Sequence, residues 1–318
     1  MTRKLRSETI DPTVTCLVHI WCRCAQRLFL LASEQDACKH YAVALLKRLH
    51  ENFAIEVINH NVMDNHFHLV VRIDPEAVKD LTDRQVVELW GLAHPPSGRP
   101  PTDAWIDRRL EDPAWVDARR ARLADVSYFM KSFKQCLTQW INHWLGTTGT
   151  AWEGRFGARP LETPEDLLST AAYVDLNPVV AGLCQWPEDA LFSSAHERFA
   201  KLQASELQGV RAPAFAGPPF LGLPPMGGAV PQEVFVSHHH RPVAREGKSH
   251  RGTPVLCAGG DREYLQLLRN LAEVIRTGCE RAGHVATAAT AGPTLGHCVP
   301  ELAEQVMSMF HDPRWSPG

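Results

Sequence analysis

The sequence predicts an α+β protein, and three observations lead there. Residues 13–22 are dense in β-branched and aromatic types and read as a strand. Residues 37–53 carry Tyr41, Ala44, Leu45 and Leu49 at helical spacing. Residues 54–73 return to strand character but are broken at Asp64 and Asn65, whose short polar side chains suit a turn, so two antiparallel strands joined tightly are expected. The chain thus opens strand, helix, strand, strand.

The elements that follow are helical. Residues 74–117 read as an insertion, with helical pieces around Val86, Val87, Leu89 and Trp90 and a proline-rich loop at 94–101. From Arg119 to Trp144 one long helix is predicted, because Val126, Phe129, Met130, Phe133, Leu137, Trp140, Ile141 and Trp144 recur at steps of three and four. Its other side carries Tyr128, Lys131, Ser132, Gln135, Gln139 and Asn142. Residues 146–159 read as a glycine-punctuated loop. A helix from Pro164 to Tyr173 and a short one from Val179 to Leu183 follow, with Asn177-Pro178 capping the turn between them. Beyond about residue 205 the composition shifts to Pro, Gly and Ala. The expected organisation is a domain over 1–205 containing the 74–117 insertion, a poorly ordered Pro/Gly-rich linker over 206–256, and a small helical C-terminal region over 257–318. Within that last region Tyr264, Leu265, Leu267, Leu268, Leu271 and Ile275 mark a helix over 261–277.

Composition narrows the function classes. Of 318 residues, 44% are hydrophobic and 22% charged, enough apolar material for a core and too much for chain-wide disorder. No apolar run reaches the roughly 18 residues of a membrane span, and no signal peptide is read. The nine cysteines show no CxxC pair, which disfavours a disulfide framework or zinc ribbon and suits a reducing cytoplasm. A net charge of −3 argues mildly against a nucleic-acid partner, yet Arg119, Arg120, Arg122, Lys131 and Lys134 cluster against Asp125 alone. That stretch is either a solvated helix face or a phosphate-contacting stripe.

His66 and His68 stand two apart on a predicted strand, so both rings leave the same face and can grip one cation. Such a pair alone is more often incidental than a metal site. The context strengthens it: Met63-Asp64-Asn65-His66-Phe67-His68-Leu69, then Trp152-Glu153-Gly154-Arg155-Phe156, then Tyr173-Val174-Asp175-Leu176-Asn177-Pro178 with Ala181-Gly182. These three blocks, in this order over residues 10–200, resemble the HUH single-tyrosine transposases, in particular the REP-associated tyrosine transposases.

The resemblance implies a ferredoxin-like sandwich with a central antiparallel sheet and flanking helices. It implies that His66 and His68 bind Mg²⁺ or Mn²⁺, that the partner is single-stranded or hairpin DNA, and that the chain is a homodimer. A tyrosine on the helix after the histidine strands would attack the phosphodiester, leaving a 5′-phosphotyrosine link and a free 3′-hydroxyl. The chain departs from the pattern here. The family's tyrosine lies five residues before an asparagine, and five before Asn142 stands Leu137, on the apolar stripe. Tyr128 is the only tyrosine on that predicted helix, and by elimination it is the candidate nucleophile beside His66 and His68; a structural tyrosine with its hydroxyl in water is the alternative. Arg119, Arg120, Lys131, Lys134 and Arg155 are the candidate DNA contacts. Gln135 and Gln139 are either a further metal ligand or solvated, Trp152 and Phe156 either core anchors or stacking rings, and His238, His239 and His240 an adventitious binder. Two function classes stay open: a metal-dependent single-strand endonuclease and strand transferase, or a non-cleaving DNA-binding derivative with a structural or regulatory role.

Overall fold

A computed structural model of the chain describes residues 10–207, 260–277 and 299–311. Nearly all of the expected linker, with His238, His239 and His240, lies outside the described residues. The fold is α+β, as expected. Four antiparallel strands, β1 (Cys16–Arg23), β2 (Ile55–Val62), β3 (His66–Ile73) and β4 (Gly157–Leu161), form one sheet in the order β2-β3-β1-β4. Helix α1 (Ala37–Asn52) links β1 to β2, and α5 (Val126–Leu145) precedes β4. This is the β-α-β-β-α-β plan of a ferredoxin-like sandwich.

Alternation along the strands sorts the two faces. Val18, Ile20, Phe67, Leu69 and Val71 point to one side and pack with Leu45 and Leu49 of α1 and Phe129, Phe133 and Leu137 of α5. On the other side Val70, Ile58 and Leu161 meet α6 (Pro164–Val180) through Leu168, Ala171 and Ala172. Helices α8 (Gly260–Thr277) and α9 (Val299–His311) pack in turn on α6, and α7 (Ser194–Leu207) lies against β2 and α8. No helix among the described residues is long and apolar enough to cross a membrane.

Three expectations are corrected. The helix expected over 119–144 is two: α4 (Pro113–Leu123) ends, and Asp125 starts α5 by accepting the Ser127 N–H at 2.6 Å. With α2 (Asp83–Ala93) and α3 (Asp103–Leu110), α4 completes the helical insertion. The glycine-punctuated loop ends in strand β4, whose Gly-Ala-Arg-Pro-Leu sequence shows no alternation; as an edge strand it tolerates Pro160, and pairing with β1 fixes it. The two short helices about Asn177-Pro178 are one, α6, running through Pro178. Proline has no N–H for the carbonyl four residues back, that of Val174. The Asn61 side chain on β2 donates to that carbonyl instead, at 2.9 Å, so the sheet supplies the bond the helix lacks.

Candidate metal and phosphate site

Strand β3 sends Phe67 into the α5 face and His66 and His68 to the α6 face. Across β1 the partner of His68 is Trp21 and that of His66 is Arg23, so an indole and a guanidinium share the histidines' face. The two imidazole centroids are 5.1 Å apart, with ring planes at 90°. His68 is fully buried and His66 is 9% exposed.

Each ring is held by its Nδ1. His66 Nδ1 lies 2.6 Å from Asn65 Oδ1, an acceptor, so the proton is on Nδ1 and the Nε2 lone pair is bare. His68 Nδ1 lies 3.0 Å from Nε2 of His19, a buried residue of β1. With His68 donating in that bond, its Nε2 is bare too. Nε2 of His66, Nε2 of His68 and Nε of Arg23 are all buried and without a hydrogen-bond partner. Burial above all, and then Arg23, pushes His66 down to about 4, while Asn177 and Asp64 favour the proton. Burial likewise holds His68 well below the usual histidine range, with His66, His19 and Arg23 adding to it, and drives His19 down to about 3 with help from Arg159. Both candidate ligands are neutral at pH 7, the form that binds metal.

The donor set therefore fits a divalent cation. Two neutral imidazoles with bare nitrogens would hold it, and its remaining positions would fall to water or to oxygens of a ligand, supplying Lewis-acid stabilisation of charge on a phosphoryl group. Among the described residues no group of three or more His, Cys, Asp or Glu is placed to hold a metal.

The three sequence blocks converge at this end of the sheet. Asn65 caps His66, and its carbonyl accepts the Cys24 N–H at 2.8 Å. Trp152 bridges Cys24, and the Glu153 N–H reaches the Arg23 carbonyl at 3.1 Å. From α6, Tyr173 sets its ring edge-on to His68 at 5.3 Å, and Asn177 lies within reach of both His66 and the Tyr173 hydroxyl. Burial raises Tyr173 to about 12, and the Phe310 ring lies 4.6 Å from it. Trp21, half-buried, lies over Gly157: a Cβ there would stand 2.3 Å from Trp21 Cε2, so only glycine admits the indole.

The other candidates are elsewhere. Tyr128 sits on α5 with the core of the opposite face, its ring 4.6 Å from the Arg122 guanidinium and 5.6 Å from Lys131 Nζ; the sheet separates it from His66 and His68 of the same chain. Leu137 is fully buried in that core, and Gln135 and Gln139 are exposed on the same helix. Trp152 and Phe156 are buried core residues. Arg120 is engaged by the carbonyls of Val78 and Leu81 and by Asp83, and Lys134 donates to the Gly154 carbonyl at 2.6 Å. Arg119 lies over Trp115, and Lys131 and Arg155 are exposed. The structure brings together His66, His68, Arg23, Trp21, His19, Tyr173 and Asn177. Of these only the histidine pair was singled out from sequence. His19 and Arg23 lie in a strand whose pattern marks structure only, and Tyr173 and Asn177 read there as structural.

No family model matches the chain, and no curated protein matches it. Among solved structures the chain is similar to the REP-associated tyrosine transposase bound to a REP hairpin, at 17% identity and a TM-score of 0.38, over 68% of this chain and 92% of that one.

Proposed function

We propose that this chain is a transposase-like, metal-dependent protein that engages single-stranded or hairpin DNA on the sheet face carrying His66 and His68. One observation carries the reading: Nε2 of His66, Nε2 of His68 and Nε of Arg23 are buried side by side without hydrogen-bond partners. A buried polar atom left unsatisfied costs about 1–3 kcal/mol, so the arrangement makes sense as half of a complex. Neutral imidazole nitrogens take a divalent cation, Mg²⁺ or Mn²⁺ by the motif resemblance; a guanidinium takes phosphate oxygens, and a phosphodiester on that cation satisfies all three. The half-buried Trp21 beside them offers a ring for a base. The motif resemblance supplies the DNA and the strand-transfer chemistry. In that chemistry a tyrosine oxygen bonds to phosphorus, the 3′-oxygen leaves with a proton, and the phosphotyrosine bond is later reversed by a 3′-hydroxyl. Tyr128 is the proposed nucleophile, delivered by a second copy in a homodimer, since the sheet separates it from the histidines of its own chain.

A specific observation favours a second reading, a non-cleaving DNA binder: the residue at the motif's tyrosine position, Leu137, is fully buried in the core. Mn²⁺ titration followed by electron paramagnetic resonance tests the metal-dependent reading, with one tight ion expected in wild type and none in His66→Ala/His68→Ala. Equal uptake by both would remove the metal site and the cleaving reading, leaving the non-cleaving binder.

A further inference from the structure

The insertion carries a surface unrelated to the histidines. Gly91 of α2 lets α3 close in: a Cβ there would stand 2.8 Å from Pro101 Cγ and 3.0 Å from the Trp105 ring. Trp105 meets Trp115 of α4 edge-on at 6.1 Å. The Arg109 guanidinium lies 5.4 Å over Trp105 and 5.1 Å over Trp115, and Arg119 lies 4.2 Å over Trp115 and 5.6 Å over Trp90. Arg122 and Lys131 flank the Tyr128 ring. All these rings are partly exposed.

Charge separates this array from ordinary helix packing. Neighbouring cations are matched: Arg84 pairs with Glu88, Asp103 and Asp107, and Arg120 with Asp83. Among the described residues no carboxylate pairs with Arg109, Arg119, Arg122 or Lys131, and Nε of Arg109 and of Arg119 is buried without an acceptor. Burial and the fields of Arg122 and Arg109 make Arg119 easier to deprotonate, against the opposing pull of Asp112 and Tyr128. Like charges are gathered on flat rings, and Asp112 offsets them without forming an ion pair. Planar π-faces interleaved with guanidiniums suit a polyanion with flat bases, and partly exposed rings favour an unpaired strand over a duplex.

We propose that Trp105, Arg109, Trp115 and Arg119, extended by Arg122, Tyr128 and Lys131, form a second binding surface for single-stranded DNA. That the strand is DNA rests on the function proposed above; the surface itself is independent of the histidine site.

The test uses the full chain in EDTA, so that the histidine site takes no part through metal. Affinities for labelled dT20 and rU20 are read by anisotropy from 50 to 200 mM salt. With counterion release of about 0.7 per contact, three or four phosphate contacts give a log–log slope near −2 to −3, and Arg109→Ala/Arg119→Ala should flatten it by about 1.4 and weaken binding at least tenfold. Arg109→Ala/Arg119→Ala should take up Mn²⁺ as wild type does, which separates failure here from failure of the metal reading. Because the arginine variant could misfold, bromodeoxyuridine oligonucleotides are also cross-linked to wild type, with adducts expected in peptides containing Trp105, Trp115 or Tyr128. No binding of dT20, binding of rU20 alone, an unchanged slope in a folded arginine variant, or cross-links confined to β1 and β3 would each overturn the proposal.

Discussion

Nε2 of His19 lies 3.0 Å from Nδ1 of His68, with both rings fully buried and nearly parallel at 16°. With His68 donating in that bond, His19 holds the proton of His68 on Nδ1 and leaves its Nε2 bare. Partners of this kind orient a ligand and set its tautomer, and losing one typically weakens metal binding about 10–100-fold. His19→Ala is expected to lower Mn²⁺ affinity by that order, while His19→Gln, which keeps an acceptor near His68 Nδ1, recovers part of it. A titration in which Ala and Gln behave as wild type would leave His19 as core filler.

The bond between β2 and α6 gives a sharper test. Asn61 serves the Val174 carbonyl that Pro178 leaves open. Asn61→Ala is expected to lose about 1–3 kcal/mol in denaturant unfolding, the usual range for orphaning a buried acceptor. Adding Pro178→Ala restores an N–H that can reach Val174, so the double variant should be more stable than Asn61→Ala alone. Simple additivity of the two changes would show that the bond contributes nothing.

Gly157 makes a steric prediction. Its missing side chain is the space the Trp21 indole fills, so Gly157→Ala forces the ring off β4 or strains the edge pairing. A loss of about 1–3 kcal/mol is expected, the range for overpacking. Trp21→Ala in the same chain should remove that clash and most of the loss; a thermal melt unchanged by Gly157→Ala would contradict the contact.

Two histidines outside the proposed ligand pair set an acid limit on stability. Burial first of all drives His60 down to about 4, despite the favourable field of Glu197, and His94 likewise to about 4. Their folded values lie below the ordinary 6.5, so the unfolded chain binds more protons between about pH 6.5 and 4. Stability should therefore be fully present above 6.5 and fall as pH drops through that window, by about 1.4 kcal/mol per pH unit for each proton taken up. Asp175 acts the other way: burial raises it to about 6, so the folded state holds the extra proton between about pH 4 and 6 and offsets one histidine there. His94→Gln, which keeps a partner for Ser132, should flatten the acid limb of urea midpoints against pH; an identical limb in both chains would show that His94 is not buried neutral.

What the sequence made legible follows physical range. Strands β1, β2 and β3 and helix α1 are short-range patterns, and periodicity reads them directly. Strand β4 carries no pattern because an edge strand takes its conformation from its neighbour, and α6 hides its continuity because the bond that carries it past Pro178 comes from Asn61, well over a hundred residues away. The histidine pair is local and was readable as residues two apart. Its neighbours are not, since Arg23 and Trp21 reach it through strand register and Tyr173 through the docking of α6. The split of the long helix at Asp125 matters most for chemistry. It turns what looked like one basic stripe into Arg120 bound to carbonyls, Lys134 bound to Gly154, and Arg119 laid over Trp115.

The position of Tyr128 relative to the sheet decides which copy of the chain can deliver it. In one chain Tyr128 stands on the α5 face and His66 and His68 on the α6 face, with the sheet between them. The tyrosine beside the histidines, Tyr173, is fully buried and raised to about 12 by burial, a poor nucleophile without rearrangement of α6. Attack needs the oxygen within about 3–3.5 Å of the phosphorus, so Tyr128 meets the metal site only if it comes from another copy. A mixing experiment isolates that case. Neither Tyr128→Phe nor His66→Ala/His68→Ala should alone form a denaturant-resistant adduct with labelled hairpin oligonucleotides in Mn²⁺, but their mixture should, because a mixed dimer joins one intact tyrosine to one intact histidine pair. An adduct with Tyr128→Phe alone that disappears in Tyr173→Phe would transfer the role to Tyr173. Wild type that binds the hairpin and Mn²⁺ yet forms no adduct on any substrate would leave the non-cleaving binder as the function, with Leu137 in the core as its cause.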